Sequence, residues 1–310
     1  MKYIEISGLY KSFGEVNALE NLNLSIEKSE IFGLLGPNGA GKSTTINIIC
    51  SLLEKDRGSI KICNKELRKN DREIRGKLGV VPQDLAIFED MTALENVEFF
   101  GSLYGLKGKD LKNKSLEALE FVGLENTKKL SKTFSGGMKR RLNIACGIVH
   151  NPELLILDEP TVGIDPQSRN HIMKSIKTLN KNGCTIIYTT HYMEEVASLC
   201  NNIAIIDKGK VIASGNKESL KSLITNKNKF EVTANDITEM NEKELSEIKG
   251  IDNIEFKDNK ILVSIDREIN SLNEFILYLS NKNVKILDIK SQVSTLEDVF
   301  LNLTGRKLRD

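Results

Sequence analysis

The sequence predicts an α/β domain over residues 1–220 and a small α+β domain over residues 228–310. Two observations lead to the first domain. Short apolar runs of the kind found in buried parallel strands alternate with segments of helical period, and a glycine-rich stretch joins one such strand to a helix. The second domain is expected because the later elements follow the order βαββαβ, which suits a ferredoxin-like fold.

The composition is that of a globular protein with little net charge. The chain has 310 residues, of which 28% are charged and 40% are hydrophobic, and its formal net charge is +1. The longest apolar runs fall far short of the roughly 18 residues that a membrane span requires, and the chain does not start with an apolar segment of signal-peptide length. We therefore expect a cytoplasmic protein that binds no nucleic acid through bulk charge and that acts at a membrane only through a partner.

The five cysteines are widely spaced, and no C-x-x-C pair occurs. This pattern disfavours both a zinc site and a disulfide framework. We expect the cysteines to be small buried hydrophobes in a reducing cytosol.

The chain begins with an alternation of apolar and polar side chains, which predicts short antiparallel strands. These lead into a buried strand at residues 31–35, and further strands are predicted at residues 58–63 and 79–84. Pro82 should end the last of these ladders, and Gln83 follows it. A lone glutamine after a strand is usually a surface residue, so the role of Gln83 stays open on this evidence.

The glycine-rich stretch carries the G-x-x-x-x-G-K-[ST] motif between strand 31–35 and a helix. Glycines let consecutive amide groups curl around phosphate oxygens, and the helix N-terminus adds the positive end of its dipole. Lys42 is expected to reach the β- and γ-phosphates of a nucleotide, and the Ser43 hydroxyl is expected to bind Mg²⁺. An ordinary glycine-rich turn is disfavoured because every spacing is met. The stretch consists of Gly36, Pro37, Asn38, Gly39, Ala40, Gly41, Lys42, Ser43 and Thr44.

Residues 84–150 have helical character. Thr92 and Glu95 form a capping-box pattern at the start of one helix. A second helix is expected to close near Gly123, and Ser135 suits the N-cap of a third.

The start of this third helix is unusual. Gly136 and Gly137 occupy its first turn, where each glycine costs roughly 1 kcal/mol relative to alanine. The basic run at residues 139–141 opposes the helix dipole. Both features would be explained by an anion bound at this helix end through bare backbone. The alternative is a strained but unoccupied cap with a solvated basic face.

Two later strands are predicted to end in polar groups. Asp158 and Glu159 directly follow the apolar run 154–157, at the position where α/β sheets place functional groups. Asp165 before Pro166 suits the N-cap of the next helix, which is a sufficient structural reason for it. Strand 185–190 leads to His191 and is expected to lie beside the Asp158 strand, although a lone histidine at a strand end is more often structural. A hairpin over residues 203–215 should end the domain.

A polar segment at residues 216–227 marks the predicted domain boundary. No glycine-rich loop or Cys/His cluster follows it, so we predict no catalytic site in the second domain. A well-capped amphipathic helix is expected over residues 294–303. The predicted strands are 230–232, 254–256, 261–265 and 284–289, and the predicted helices are 241–248 and 269–279.

Over residues 1–220 the order of motifs resembles that of the ATP-binding cassette (ABC) ATPases. Besides the phosphate loop, the chain carries matches to the Q-loop (Gln83), the signature (Phe134–Met138), the Walker B strand (Leu155–Glu159), the D-loop (Val162–Asp165), the switch histidine (His191) and the adenine-stacking aromatic (Phe13). Met138 departs from the commoner glutamine, but S-G-G-M-K-R-R-L is typical of the ATPase subunits of ABC-2 type exporters. The ending Ser294–Phe300 resembles the same branch.

The resemblance implies a P-loop NTPase cassette with a mixed sheet core, an antiparallel β subdomain and a helical subdomain at about residues 84–150. It implies ATP and Mg²⁺ as cofactors, with Glu159 as general base, His191 at the γ-phosphate, and Lys42 and Gln83 as further catalytic groups. Mg²⁺ would be held by Ser43, Gln83 and Asp158, and adenine would stack on Phe13. Ser135, Gly136, Gly137 and Asp165 would contribute to the nucleotide site across a dimer of two cassettes.

The implied partners are a second copy of the chain, or a related ATPase, and a separate transmembrane permease. The protein would then lie on the inner face of the cell membrane, and the transported substrate would bind in the permease. A GTPase is disfavoured because no N-K-x-D motif follows. Nucleic-acid or ribosome-associated ABC ATPases are disfavoured because they typically carry zinc cysteines, a coiled-coil insertion or two cassettes. A scaffold that binds ATP without turnover is disfavoured by the presence of Glu159.

Overall fold

The computed structural model describes residues 1–68, 71–223, 227–237, 240–266, 269, 271–292 and 295–305. Its Cα positions divide into two units, Met1–Lys217 and Glu218–Gly305. Within the described part of the chain, every helix is too short or too polar to cross a membrane.

The first unit starts with the predicted antiparallel strands. These form a four-stranded sheet in the order β2-β1-β4-β5, in which β1 pairs antiparallel with both β2 and β4. The strands are β1 (Lys2–Phe13), β2 (Val16–Glu27), β4 (Arg57–Ile62) and the two-residue β5 (Lys65–Glu66). β5 has no counterpart among the sequence predictions.

A six-stranded mixed sheet forms the centre of this unit, with strand order β10-β9-β3-β8-β7-β6. All neighbours are parallel except β9 and β10, which form the predicted hairpin. Every residue of β3 and β8 is buried, as expected for parallel strands covered on both faces. The strands are β3 (Ile31–Leu35), β6 (Leu78–Val81), β7 (Leu154–Asp158), β8 (Thr185–Thr189), β9 (Asn202–Asp207) and β10 (Lys210–Gly215).

Three helices of this unit start where the capping residues predict. Thr92 and Glu95 form the capping box of α3, and the side chains of Ser135 and Asp165 cap α5 and α6. A further helix, α8, lies inside the polar segment that marks the predicted boundary, of which residues 224–226 lie outside the described residues. The helices of the first unit are α1 (Lys42–Ile49), α2 (Arg72–Gly76), α3 (Ala93–Leu103), α4 (Gly108–Phe121), α5 (Gly136–Ile148), α6 (Pro166–Lys181) and α7 (Met193–Leu199). α8 (Lys217–Ser222) begins at the last residue of this unit and belongs to the second unit from Glu218 onward.

The second unit has the predicted βαββαβ order. Its four strands pair antiparallel in the order β12-β13-β11-β14, the ferredoxin-like arrangement. Phe275 and Leu279 are fully buried against this sheet. The elements are β11 (Lys227–Ala234), α9 (Glu242–Ser246), β12 (Ile251–Lys257), β13 (Lys260–Asp266), α10 (Leu272–Asn281), β14 (Ile286–Gln292) and α11 (Leu296–Thr304).

The last helix, α11, starts with a capping box between Thr295 and Asp298. Its apolar residues Leu296, Val299 and Phe300 are buried, as the amphipathic pattern predicts. Ser294, the predicted start of this helix, lies outside the described residues, as do residues 306–310 of the predicted second domain.

Candidate active site

Four adjacent parallel strands of the central sheet end at one edge, and each is followed by predicted site residues. β3 leads into the phosphate loop, and its neighbour β8 leads to His191. β7, which pairs with β8 as predicted, ends at Asp158, and β6 is followed by Gln83. Because the carboxyl ends of parallel strands share one edge, the fold gathers these groups there.

The phosphate loop approaches other backbone so closely that glycine is required. A Cβ on Gly36 would lie 2.4 Å from the carbonyl oxygen of Ile206, and Gly41 has a φ of +106°. Gly41 precedes α1, which starts without a side-chain cap. The first amide groups of a helix have no acceptor within the helix, so this loop and helix end offer amide donors to an anion.

Lys42 folds back onto its own loop. Its Nζ donates to the carbonyl oxygens of Gly36 at 2.6 Å and Pro37 at 3.1 Å. Burial lowers the pKa of Lys42, and the carboxylates of Glu159 and Asp158 oppose this shift. A partly desolvated ammonium group beside an anion-binding loop can form charge-assisted hydrogen bonds with phosphate oxygens.

Glu159 and His191 are in direct contact. Nδ1 of His191 lies 2.9 Å from Oε2 of Glu159, and a carboxylate can only accept, so Nδ1 carries the proton. Glu159 has a φ of +49°, in the left-handed region. Its amide donates to the carbonyl and to the hydroxyl oxygen of Thr189, both at 3.1 Å. β8 therefore holds the residue that follows β7 in an uncommon backbone conformation.

The residues predicted to hold Mg²⁺ offer only oxygen ligands. Asp158 accepts a hydrogen bond from the hydroxyl of Thr189 through one carboxylate oxygen, and Ser43 and Gln83 are exposed. Among the described residues, no three His, Cys, Asp or Glu side chains are grouped to hold a metal ion. One carboxylate, a hydroxyl and an amide oxygen fit Mg²⁺, which usually binds to one or two carboxylates together with substrate phosphates and waters.

Phe13 stands at the end of β1 with 51% of its surface exposed. Nζ of Lys11 lies 5.5 Å from the centre of its ring. An exposed aromatic face beside a cation can stack against a planar base.

The signature residues Ser135, Gly136 and Gly137 lie at the start of α5 and not at the ends of the parallel strands. Ser135 caps α5 by accepting the amide of Met138 at 3.2 Å. Gly136 is exposed, and an added Cβ there would meet nothing within 4 Å. Gly137 is buried, and its added Cβ would lie 2.3 Å from Oγ of Ser168 in α6. No hydrogen bond between described residues joins Ser135, Gly136 or Gly137 to the phosphate loop.

The basic run after these glycines has partners within the chain. Lys139 pairs with Glu89, and Arg141 donates to the carbonyl oxygens of Val122 and Gly123. The run is therefore explained by internal contacts, and Gly137 is explained by its close packing against Ser168, so only Gly136 remains to be explained by an anion.

Arg140 is buried and donates to two carbonyl oxygens of the Gln83 segment. The distances are 3.1 Å to Pro82 and 2.7 Å to Gln83. It thereby connects the signature helix α5 to Gln83. Sequence reasoning did not single out Arg140, because nothing in the pattern distinguishes it from Lys139 and Arg141.

Comparison with known proteins identifies the family. A family model described as ABC transporter matches residues 19–162. The linearmycin resistance ATP-binding protein LnrL of Bacillus subtilis (strain 168) is 41% identical over 313 residues, covering 99% of this chain and 100% of that protein. The chain belongs to the ABC transporter family.

Other matches agree with this assignment. The daunorubicin/doxorubicin resistance ATP-binding protein DrrA of Streptomyces peucetius is 34% identical, with 99% of this chain and 94% of that protein covered. A dimeric post-hydrolysis structure of the ATP-binding cassette MJ0796, bound to ADP and Pi, is 30% identical, with a TM-score of 0.63 over 69% of this chain and 98% of that chain. The predicted ABC cassette fold is confirmed, and ATP binding and hydrolysis are general in this family.

Proposed function

We propose that this cassette is the ATP-hydrolysing subunit of an exporter and drives a separate membrane permease through ATP-dependent dimerisation. Full-length relatives support the assignment, since they are named as ATP-binding proteins of antibiotic resistance and of Nod factor export. The observation that carries the proposal is the Glu159–His191 pair at the sheet edge where the phosphate loop also starts.

In this proposal Lys42 and the loop amides hold the β- and γ-phosphates of ATP. Ser43, Asp158 and Gln83 would hold Mg²⁺, which when bound neutralises charge on those phosphates. Glu159 accepts a proton from the attacking water, whose oxygen bonds to the γ-phosphorus as the bond to ADP breaks. His191 keeps its Nδ1–H on Glu159, so its Nε2 is the atom that faces the γ-phosphate.

The second half of the site is proposed to come from another copy of the chain. The hydroxyl of Ser135 and the backbone amides of Gly136 and Gly137 would donate to the γ-phosphate bound by the partner's loop. The open space around Gly136 supports this, because a side chain there would meet nothing within its own chain. The dimeric structure of the MJ0796 cassette, bound to ADP and Pi, supports a dimer of two cassettes. Asp165 caps α6 beside Gly137 and would lie at the same interface.

The experiment that tests the function is Glu159→Gln. The amide keeps the size of the side chain but cannot take the proton, so hydrolysis should slow by roughly 100-fold or more. ATP should then accumulate on the protein and hold a dimer that gel filtration detects. Lys42→Ala, which is expected to bind ATP roughly 10- to 100-fold more weakly, should give neither hydrolysis nor dimer at an ATP concentration that just saturates the parent chain. Unchanged turnover in Glu159→Gln would contradict the assigned base, and a monomer with bound ATP would contradict the dimer.

For the permease we propose a groove between α2, β6 and the end of α3. It encloses a cavity of about 670 Å³ lined by apolar side chains that include Leu52, Leu103 and Tyr104, and by Arg72 and Arg75. Leu52 and Leu103 are 70% and 66% exposed. An apolar permease segment with a carboxylate would match both features. Leu103→Asp should abolish co-purification with the permease and leave basal ATP hydrolysis unchanged. Retained co-purification would contradict this assignment.

We also propose that residues 228–310 form an accessory domain that stabilises the dimer or contacts the permease. Its missing catalytic motifs support such a role. A chain ending at Gly215 should dimerise more weakly with ATP or fail to support transport. Equal dimerisation and transport by the shortened and full chains would contradict this role.

A further inference from the structure

Glu195, on α7, is a buried carboxylate in contact with Thr190, the residue before His191. Only 3% of the residue is exposed. Its Oε2 accepts hydrogen bonds from three hydroxyl groups, two from β8 and the residue that follows it and one from the segment after β7. The donors are Tyr188 at 2.7 Å, Thr161 at 2.8 Å and Thr190 at 3.1 Å. Such a set of donors compensates the burial of an acidic group, which is costly unless it is hydrogen-bonded and paired.

The other carboxylate oxygen of Glu195 is connected to His191 through Arg169 and Tyr192. Oε1 lies 3.4 Å from Nε of Arg169 in α6. The guanidinium carbon of Arg169 lies 4.5 Å from the ring centre of Tyr192, and this ring centre lies 4.4 Å from that of His191. A cation and an aromatic ring thus connect the buried carboxylate to the histidine.

Two of the hydroxyl donors belong to segments that carry proposed catalytic groups. Thr190 immediately precedes His191, and its hydroxyl also accepts the amide of Tyr192 at 3.0 Å. Thr161 lies between Glu159 and Asp165. One side chain therefore holds the His191 segment and the 159–165 segment against each other and against α6.

The third donor supports the same arrangement. Burial and the neighbouring Glu195 carboxylate raise the pKa of Tyr188 well above its usual range. The phenol therefore keeps its proton and donates a hydrogen bond to Glu195. Since Tyr188 is part of β8, the carboxylate is fixed relative to the central sheet.

We propose that Glu195 is a positioning residue for ATP hydrolysis, which orients His191 and fixes the segment that begins with Glu159. This inference rests on the proposed function, because it requires that Glu159 and His191 act at the γ-phosphate. Glu195 touches no reacting atom, so its loss changes the rate of the chemical step and leaves nucleotide affinity unchanged. A misplacement of about 1 Å in a catalytic group costs up to roughly 100-fold in rate.

The test is Glu195→Gln in the full-length chain. The amide has the size of the carboxylate, but it cannot form the ion pair with Arg169. We expect kcat for ATP hydrolysis to fall roughly 10- to 100-fold, while KM and nucleotide affinity stay within about twofold. Glu194→Gln is the matched control, because this neighbour on α7 is exposed and should not alter kcat. An unchanged kcat in Glu195→Gln, or a parallel loss of nucleotide affinity, would overturn the proposal.

A double-mutant cycle with His191→Ala distinguishes positioning from general damage. If Glu195 acts in part through His191, Glu195→Gln should cost at least about threefold less in single-turnover hydrolysis by the His191→Ala variant than in the parent chain. An equal loss in both backgrounds would refute the coupling to His191. If His191→Ala or Glu159→Gln alone leaves hydrolysis unchanged, the proposed function fails, and this failure is recognised without any change at Glu195.

Thr161→Val provides a second variant that keeps the buried ion pair. It removes one hydroxyl donor and should lower kcat by about threefold to tenfold; the lost hydrogen bond should also lower the melting temperature, but the chain should still be folded at the assay temperature. If Glu195→Gln fails to fold, this variant decides the question. A folded Thr161→Val protein with the parent kcat would count against the proposal.

Discussion

Gly136 and Gly137 are adjacent in the first turn of α5, yet the structure predicts opposite consequences for replacing them with alanine. At Gly136 an added Cβ meets nothing within 4 Å. At Gly137 it would lie 2.3 Å from Oγ and 2.8 Å from Cβ of Ser168. Gly137 is therefore needed for packing within the chain, whereas Gly136 leaves open space outside it.

The magnitudes follow from these distances. Gly136→Ala should raise the free energy of unfolding by about 0.5 kcal/mol, because alanine favours a helix and restricts the unfolded chain. Gly137→Ala gains the same helix propensity but must displace Ser168 or α5, and overpacking of this kind costs about 1–3 kcal/mol. We expect a net loss of about 1–2 kcal/mol for this variant.

The assay combines urea unfolding of the nucleotide-free protein with ATP-dependent dimerisation in the Glu159→Gln background. Gly136→Ala should be stable but should dimerise poorly, since its methyl group occupies the position proposed for the partner's phosphate. Gly137→Ala should lose stability, and Ser168→Gly should restore part of that loss in a double-mutant cycle. If Gly136→Ala dimerises like the parent, the composite site is wrong; if Gly137→Ala is as stable as Gly136→Ala, the packing argument is wrong.

Three further predictions concern single side chains. Arg140→Gln should lower stability by about 1–3 kcal/mol in urea unfolding, because the buried Arg140 side chain loses its hydrogen bonds to the part-buried carbonyl oxygens of Pro82 and Gln83. It should also lower kcat by loosening Gln83. Lys139→Gln, the control, should change stability by less than about 0.5 kcal/mol. Burial lowers the pKa of His150 to about 4, so the unfolded chain binds more protons than the folded chain below pH 7. The free energy of unfolding should therefore fall by about 1 kcal/mol between pH 7.5 and 5.5. His150→Gln should remove this contribution, and an equal dependence of stability on pH in both proteins would contradict it. Lys42→Ala should weaken ATP binding by roughly 10- to 100-fold in equilibrium titration, and retained affinity would exclude Lys42 from the phosphate site.

Much of the fold could be predicted because its signals are local. The alternation in β1, the apolar runs of the parallel strands and the caps at Thr92, Ser135 and Asp165 each depend on a few neighbouring residues. The short elements β5 and α2 were not predicted, since two and five residues are too few to show a period.

The candidate site was predictable only in part. The phosphate loop and the strand-end groups could be predicted because each motif spans only a few residues and directly follows a strand. The strand order then brings these groups to one edge of the sheet. The positive φ of Glu159 and the partners of Arg140 and Glu195 depend on residues distant in sequence. A single sequence does not specify such contacts, because burial and pairing are set by the packed fold.

The long-range contacts bear on how ATP could couple two subunits. Arg140 connects the signature helix to Gln83, Gly137 packs that helix against the start of α6, and Glu195 connects α6 to the segment before His191. Taken together, these contacts connect groups proposed to meet a chain's own nucleotide with groups proposed to meet the partner's. A change at one bound phosphate would then bias the second site through rigid elements that are already in contact. If so, Arg140→Gln should also weaken the ATP-dependent dimer of the Glu159→Gln chain, although Arg140 lies at neither phosphate.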